Sequence, residues 1–275
     1  MKVLIAGGTG FLGGELVRLC AAAGHDVGAT CRSTRPPERA GVAWLPVDLR
    51  SREGVCAALE AFRPDVTINA AYRQGDWAAT ADGAAHVAVA VARTGGRLVH
   101  VSSDAVFSGA RPRYDETCPP DPITPYGAAK AAAETAVRAV LPEAVIARTS
   151  LIVGDGASVH EALVRALATG AGGGRVLFTD DVRCPVHVRD LAAALLEVAG
   201  GDFGGVLHVA GSDAVSRYEL GVLIARRDGL DPARLPSGRR ADAGVPGPVD
   251  VRLDCTATQR RLTTRLRGAR DFVPG

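Results

Sequence analysis

Residues 2–13 read Lys2-Val3-Leu4-Ile5-Ala6-Gly7-Gly8-Thr9-Gly10-Phe11-Leu12-Gly13. A short apolar run suited to a buried strand leads directly into glycines at 7, 10 and 13, and an amphipathic helix is expected over 10–23. Glycines at this spacing permit a tight turn, let the backbone approach a pyrophosphate, and let the helix pack closely on the sheet. An anion held there also meets the positive end of the helix. In a chain with 33 glycines the spacing alone carries little weight; its place between a strand and a helix is what makes it informative. The stretch predicts the first βα unit of a dinucleotide-binding domain, with Gly7, Thr9, Gly10, Phe11, Leu12 and Gly13 around the phosphates.

Outward from that unit the alternation continues. Strands are expected over 26–31, 42–47, 66–69, 97–101 and 144–148, with helices over 52–62, 76–94 and 125–141. Residues 111–125 hold five prolines and read as a structured loop. Beyond 150 the pattern loosens. Helices are expected near 158–169, 188–199 and 216–227, strands over 175–178 and 206–210, and a glycine-rich loop over 171–174. The Pro/Gly stretch 235–248 reads as too polar to pack well. The expected fold is α/β: a Rossmann-type doubly wound parallel sheet in residues 1–150, with a small C-terminal α/β substrate-binding part in 151–275 over the ligand cleft. Segments near 184–210 are expected to pack back on the first domain.

The chain has 275 residues, of which 47% are apolar, enough for a sizeable core without disulfide or metal staples. A net charge of +2 gives no field directed at nucleic acid or an anionic membrane. The six cysteines form no C-x-x-C pair and the six histidines no metal-ligand spacing, so neither a metal site nor a redox dithiol is expected. No leader-like start and no membrane-length apolar run is visible, so the expectation is a cytoplasmic protein acting on a small molecule.

The second strand decides between two dinucleotides. It ends Ala29-Thr30-Cys31-Arg32, without the acid that would hold a free ribose 2′-hydroxyl. Arg32, helped by Arg35, can pair with a 2′-phosphate, which favours NADPH, with NADH as the alternative. Asp48-Leu49 after the third strand can meet adenine, and Asn69-Ala70-Ala71 after the fourth is small enough for the cofactor to lie against the backbone.

Thirty of the 32 basic residues are arginine, so Lys130, the lysine that stands apart from the N-terminal Lys2, calls for a reason. It lies four residues after Tyr126, on the same helix face. A compact ammonium can hydrogen-bond ribose hydroxyls and still sit beside a phenol. A cation ~4 Å away at an effective dielectric near 20 gives up to ~4 kcal/mol, enough to bring a phenol toward a usable proton donor near neutral pH. Ser103, after the fifth strand in Ser102-Ser103, would hold the carbonyl oxygen.

These motifs resemble the extended short-chain dehydrogenase/reductases. Within them, Ser102-Ser103-Asp104-Ala105-Val106-Phe107-Ser108-Gly109 is similar to the S-T-D-Y-V-F-x-G of dTDP-4-dehydrorhamnose reductases. Asp115-Glu116-Thr117, Glu134, Ala147-Arg148-Thr149-Ser150, the run from Pro185 to Ala192 and Arg252-Leu253-Asp254 continue the likeness. The resemblance implies Ser103, Tyr126 and Lys130 as catalytic residues and hydride delivery from a reduced nicotinamide to a carbonyl. The chain departs from that pattern at Ala71-Tyr72-Arg73-Gln74-Gly75-Asp76-Trp77, at Thr80 and at Leu151, where the family carries A-Y-T-x-V-D-x-A-E, an Asn and a Trp. Asp104-Ala105 lacks the glutamate of the related dehydratases.

The expected activity is an NADPH-dependent ketoreductase acting on a nucleotide-linked 4-keto-deoxysugar or related intermediate. The alternatives are reduction of a non-sugar ketone in natural-product biosynthesis and a non-catalytic NADP-binding regulatory subunit. Ser103, Asp104 and Arg183 are the expected substrate contacts, and related reductases suggest a homodimer. Residues 226–270 hold 11 arginines against 5 aspartates, a reserve for a substrate diphosphate or a solvated basic face.

Overall fold

The computed structural model describes residues 1–33, 41–244 and 246–273. The chain forms two compact units that interleave along the sequence. One comprises Met1–Ser103, Pro125–Arg148 and Ala192–Leu207; the other comprises Asp104–Thr124, Thr149–Leu191 and His208–Gly275. The division therefore does not fall at one point near 150. Residues 104–124 belong with the later segments, and part of the 184–210 stretch belongs with the earlier ones.

The first unit is built on a seven-stranded sheet. Its strands are β1 (Lys2–Ala6), β2 (Asp26–Cys31), β3 (Val42–Pro46), β4 (Val66–Asn69), β5 (Arg97–Ser103), β6 (Val145–Thr149) and β7 (Gly205–His208). Their order is β7-β6-β5-β4-β1-β2-β3. β1 pairs in parallel with β2 and with β4, Leu4 standing opposite both Gly28 and Thr67. Strand order reverses there, which is where an open α/β sheet leaves a crevice at the carboxyl ends of its strands. Val3, Leu4 and Ile5 are fully buried. A near-continuous apolar strand is what a sheet covered on both faces requires.

The helices of this unit include α1 (Phe11–Ala22), α2 (Arg52–Phe62), α3 (Gly83–Thr94) and α4 (Pro125–Val140). Ser51 starts α2 by accepting the Gly54 N–H on its hydroxyl at 3.1 Å. Leu59 and Phe62 of α2, Val87 and Val91 of α3 and Val137 of α4 share one core with Leu98 and Ile146 of the sheet. Each such side chain contributes about 1.5–3 kcal/mol by leaving water.

Two boundaries differ from the sequence expectation. The helix expected over 76–94 begins at Gly83, after a wider turn at Ala78–Asp82. There the Thr80 hydroxyl donates to the Arg73 carbonyl at 2.9 Å and ties down the preceding loop. β5 continues two residues past 101 and so carries Ser102 and Ser103 to its carboxyl end.

The second unit holds α5 (Val159–Ala168), the start of α6 (Val188–Gly200) and α7 (Arg217–Arg227), with several two-residue strand pairs. α5 opens on a capping box between Ser158 and Glu161. Leu177–Phe178 pairs in parallel with Ser237–Gly238. Of the stretch 235–248, expected to pack poorly, the first residues are anchored: Leu235 is buried and Ser237–Gly238 are met by a strand, while Ala241–Gly244 are exposed. The prolines and glycines gave no hint of that partner, which lies about sixty residues earlier in the chain.

Candidate active site

The glycine turn connects β1 to α1. Gly7 has φ +84, and a Cβ on it would lie 2.9 Å from Ala71 Cα. Its N–H donates to Thr30 Oγ1 at 2.9 Å, and the Gly8 N–H donates to the Thr30 carbonyl at 3.0 Å. Gly10 precedes α1 in extended conformation, with no side-chain cap and no acidic residue in the first turn. The leading N–H groups of α1, from Phe11, Leu12 and Gly13, are those that a helix leaves without internal carbonyl partners. Together with Thr9 they form a backbone-donor cradle that suits a pyrophosphate, so the residues present fit a dinucleotide.

Ala70 and Ala71 follow β4 across from this turn. Asn69, expected to face the cofactor with them, is instead a buried brace. Its Oδ1 accepts the Ala71 N–H at 3.2 Å, and its Nδ2 lies 3.2 Å from His100 Nδ1. Burial, and secondarily Lys130, hold His100 well below the usual histidine range.

Arg32 lies in a bend after β2 and is exposed; Arg35 lies outside the described residues. Arg32 lines an open pocket of ≈ 800 Å³ together with Asp48, Arg50, Arg73 and Trp77. Asp48 is tightly engaged, accepting Arg50 Nε at 3.0 Å and Nη2 at 2.5 Å. Hydrogen bonds from the Arg50 side chain and backbone bring its carboxyl down to about 2. An adenine amino group would share this carboxylate with Arg50. Leu49 is half-buried and its carbonyl lies 2.8 Å from His86 Nδ1. Arg73 and Trp77 stand in the run 71–77 where the chain departs from the family pattern, whereas Arg50 carries no signal in the sequence, being an ordinary loop residue until the segment after β3 and the loop after β4 meet.

Ser103 ends β5, while Tyr126 and Lys130 lie one turn apart near the start of α4. Ser103 and Tyr126 are half-buried, and Lys130 is 3% exposed. Lys130 Nζ donates to the Val101 carbonyl at 2.9 Å. Burial pushes its ammonium down to about 8, opposed by the negative charge of Glu134. Tyr72 completes the group. Its ring centroid stands 5.6 Å from that of Tyr126 and 5.2 Å from Lys130 Nζ, within cation–π range, although the residue is 56% exposed. Its place directly after Ala71 was the available signal.

The expected substrate contacts Asp104 and Arg183 take a different place. Both are buried in the second unit. Asp104 accepts the Ser150 hydroxyl at 2.6 Å and lies 3.6 Å from Arg183 Nε. Arg183 also pairs with Asp181 at 2.9 Å and donates to the carbonyls of Val182, Pro248 and Val249. With its donors committed inward, Arg183 is an internal strut rather than a free cation for a ligand. Several arginines of the 226–270 cluster are likewise paired, Arg227 with Glu161, Arg240 with Asp181 and Arg267 with Asp190. Near them, α5, α7 and Leu177–Phe178 line a pocket of ≈ 160 Å³, with His160, Asp181 and Arg217 among its polar groups.

Among the described residues no group of three His, Cys, Asp or Glu side chains could hold a metal ion, and no helix is long and apolar enough to cross a membrane.

The chain matches the RmlD substrate binding domain family over residues 1–274. It is 36% identical over 265 residues to the dTDP-4-dehydrorhamnose reductase of Mycobacterium tuberculosis, covering 90% of this chain and 82% of that protein. It is 28% identical over 280 residues to methionine adenosyltransferase 2 subunit beta of Mus musculus, covering 93% and 80%. Its fold is similar to that of the dTDP-4-dehydrorhamnose reductase of Bacillus anthracis, solved in complex with NADP, with a TM-score of 0.81, 22% identity and coverage of 98% and 96%.

Proposed function

Because the chain belongs to the RmlD family of extended short-chain dehydrogenase/reductases, a family of NAD(P)H-dependent oxidoreductases, we propose that it is an NADPH-dependent reductase of a carbonyl on a nucleotide-linked deoxysugar. The observation that carries this reading is the buried ammonium of Lys130, one helical turn from Tyr126 and fixed on the Val101 carbonyl.

A reduced nicotinamide, when bound, supplies the hydride. The first turn of α1, with the N–H groups of Phe11, Leu12 and Gly13, offers donors and the positive end of the helix to its diphosphate, while Gly7 and Gly10 spend their own N–H groups closing the turn. Arg32 offers a guanidinium to the 2′-phosphate, as expected where β2 carries no acid at its end. Ser103 donates its hydroxyl to the substrate carbonyl and fixes its orientation. Tyr126 gives its phenolic proton to that oxygen as it becomes an alkoxide. Lys130, charged while the pH stays below about 8, makes the phenolate left behind easier to form. It keeps N–H donors for a ribose hydroxyl, since the Val101 carbonyl takes only one of three. Tyr72 covers the pair on one side.

The test is a reductase assay on a panel of nucleotide 4-ketosugars and non-sugar ketones, with NADPH and NADH, using Tyr126→Phe as control. NADPH oxidation dependent on a nucleotide ketosugar and lost in the variant is the expected result. Binding of NADPH with no turnover on any ketone would place the chain with the binding subunits instead.

A further inference from the structure

Along one face of α4 the chain sets Tyr126, Lys130 and Glu134 four residues apart. Only the first two take part in the reaction as read above. Glu134 is 2% exposed and is gripped from two strands. Ser102 Oγ on β5 donates to its Oε1 at 2.5 Å. From β6, Arg148 donates Nη2 to Oε2 at 2.8 Å and Nε to Oε1 at 3.1 Å. Arg148 is itself 1% exposed. A buried ion pair stabilises a fold little better than apolar side chains of the same volume would. This one stands one turn from the reacting ammonium.

We propose that Glu134, held by Arg148 and Ser102, is a positioning residue for Lys130, its fixed negative charge keeping the buried ammonium protonated beside Tyr126. The inference rests on the reading of Tyr126 and Lys130 as the reacting pair.

The groups that face Lys130 come from several elements. α4 contributes Tyr126 and Glu134. β5 contributes the Val101 carbonyl, which accepts from the ammonium, and His100, which burial keeps neutral. The loop after β4 contributes the Tyr72 ring. Of these, Glu134 is the one that works against burial to favour the charged ammonium. Arg148 is a second buried cation, and it is paired with that carboxylate. Removing the carboxylate therefore withdraws an attraction and uncovers a repulsion, whereas removing the guanidinium leaves the attraction unshared. The two changes must move Lys130 in opposite directions. A general loosening of the core would not.

The chain contains two lysines, so lysine-selective ¹³Cε labelling gives two signals, assigned with Lys2→Arg. The Lys130 signal is titrated by NMR in wild type, where its midpoint is expected at about 8. Glu134→Gln should lower the midpoint by about one unit or more. Glu134→Asp, which withdraws the charge by one methylene, should lower it by less. Arg148→Met should raise it. NADPH binding, followed by fluorescence over the same pH series, should weaken at the same midpoints. Thermal unfolding identifies the variants that fold, and each of these decides by its own sign. An unmoved midpoint in Glu134→Gln, or Gln and Met variants moving the same way, overturns the proposal. The NMR arm needs no turnover, so it separates failure of this inference from failure of the reductase reading, which the Tyr126→Phe assay tests.

Discussion

Gly13 stands so close to Gly7 that a Cβ on Gly13 would lie 2.0 Å from the Gly7 carbonyl oxygen. The turn is therefore closed by the absence of a side chain, with α1 pressed against the strand end it follows. Gly13→Ala must push α1 off β1. Overpacking of this kind costs about 1–3 kcal/mol, and the cradle it displaces is the proposed phosphate site. A lowered melting temperature and NADPH binding weakened by about tenfold to a hundredfold are expected, measured by thermal unfolding and fluorescence quenching. Unchanged NADPH affinity would separate the turn from the cofactor.

Tyr126→Phe keeps the ring beside Tyr72 and removes the proton. Loss of a general acid lowers kcat by about 10²–10⁴-fold, while NADPH affinity should stay near wild type. Tyr72→Ala removes a cation–π contact worth about 0.5–1 kcal/mol, a two- to fivefold effect, and Tyr72→Phe should restore it. If the Phe variant at 72 is as impaired as Ala, the hydroxyl and not the ring matters.

Arg32→Ala should weaken NADPH by about ten- to a hundredfold and leave NADH unaffected, because only the 2′-phosphate is read there. Arg50→Ala frees Asp48 from the hydrogen bonds that lower its carboxyl. The carboxylate then stands uncompensated in the pocket that Arg32 also lines. NADPH should suffer more than NADH, since a bare acid repels the extra phosphate. Binding titrations with both dinucleotides decide; equal losses in either variant would contradict these assignments.

Arg183→Met takes from Asp181 and Asp104 a cation they share, and from the Pro248 and Val249 carbonyls their donor. Breaking a buried pair from one side costs about 3–5 kcal/mol. The melting temperature should fall by several degrees, in contrast to exposed Arg32→Ala. A variant of wild-type stability with only a raised KM would return Arg183 to the substrate.

Two histidines are held neutral by burial, His100 well below its usual range and His160 at about 4, the latter lowered further by Arg217. Arg217 Nη1 lies 3.3 Å from His160 Nδ1, so that nitrogen must accept and stay unprotonated. The unfolded chain takes up protons at both residues near pH ~6.5, where the folded protein does not. Stability is therefore complete above that pH and falls as the pH drops toward 4, by roughly 1–3 kcal/mol for His160. Denaturant unfolding at a series of pH values should show this slope, and His160→Gln should flatten part of it. A slope of opposite sign would mean that the folded protein carries His160 charged.

The reach of the sequence follows from the range of the interactions involved. The β1–turn–α1 unit, the alternation of strands with helices and the one-turn spacing of Tyr126 and Lys130 rest on residues close in the chain. Apolar period, glycine spacing and the four-residue helical repeat express those directly. β5 ran on to Ser103 and α3 began late because strand pairing and the Thr80–Arg73 bond, not local propensity, set those ends.

What the sequence alone determined was thus the first βα unit with its glycine turn, the α/β alternation and the one-turn spacing of phenol and ammonium. The tertiary structure decided which charges are free. Arg183 looked like a surface cation for a ligand, yet acceptors up to 66 residues further along the chain hold it inside. Asp48 looked free for adenine and is held by Arg50, and Asn69 looked like a cofactor contact and braces Ala71 against His100. Charge and hydrogen-bonding capacity are properties of a residue type, whereas burial and partnership belong to the folded chain, and only the latter say whether a side chain is available to bind.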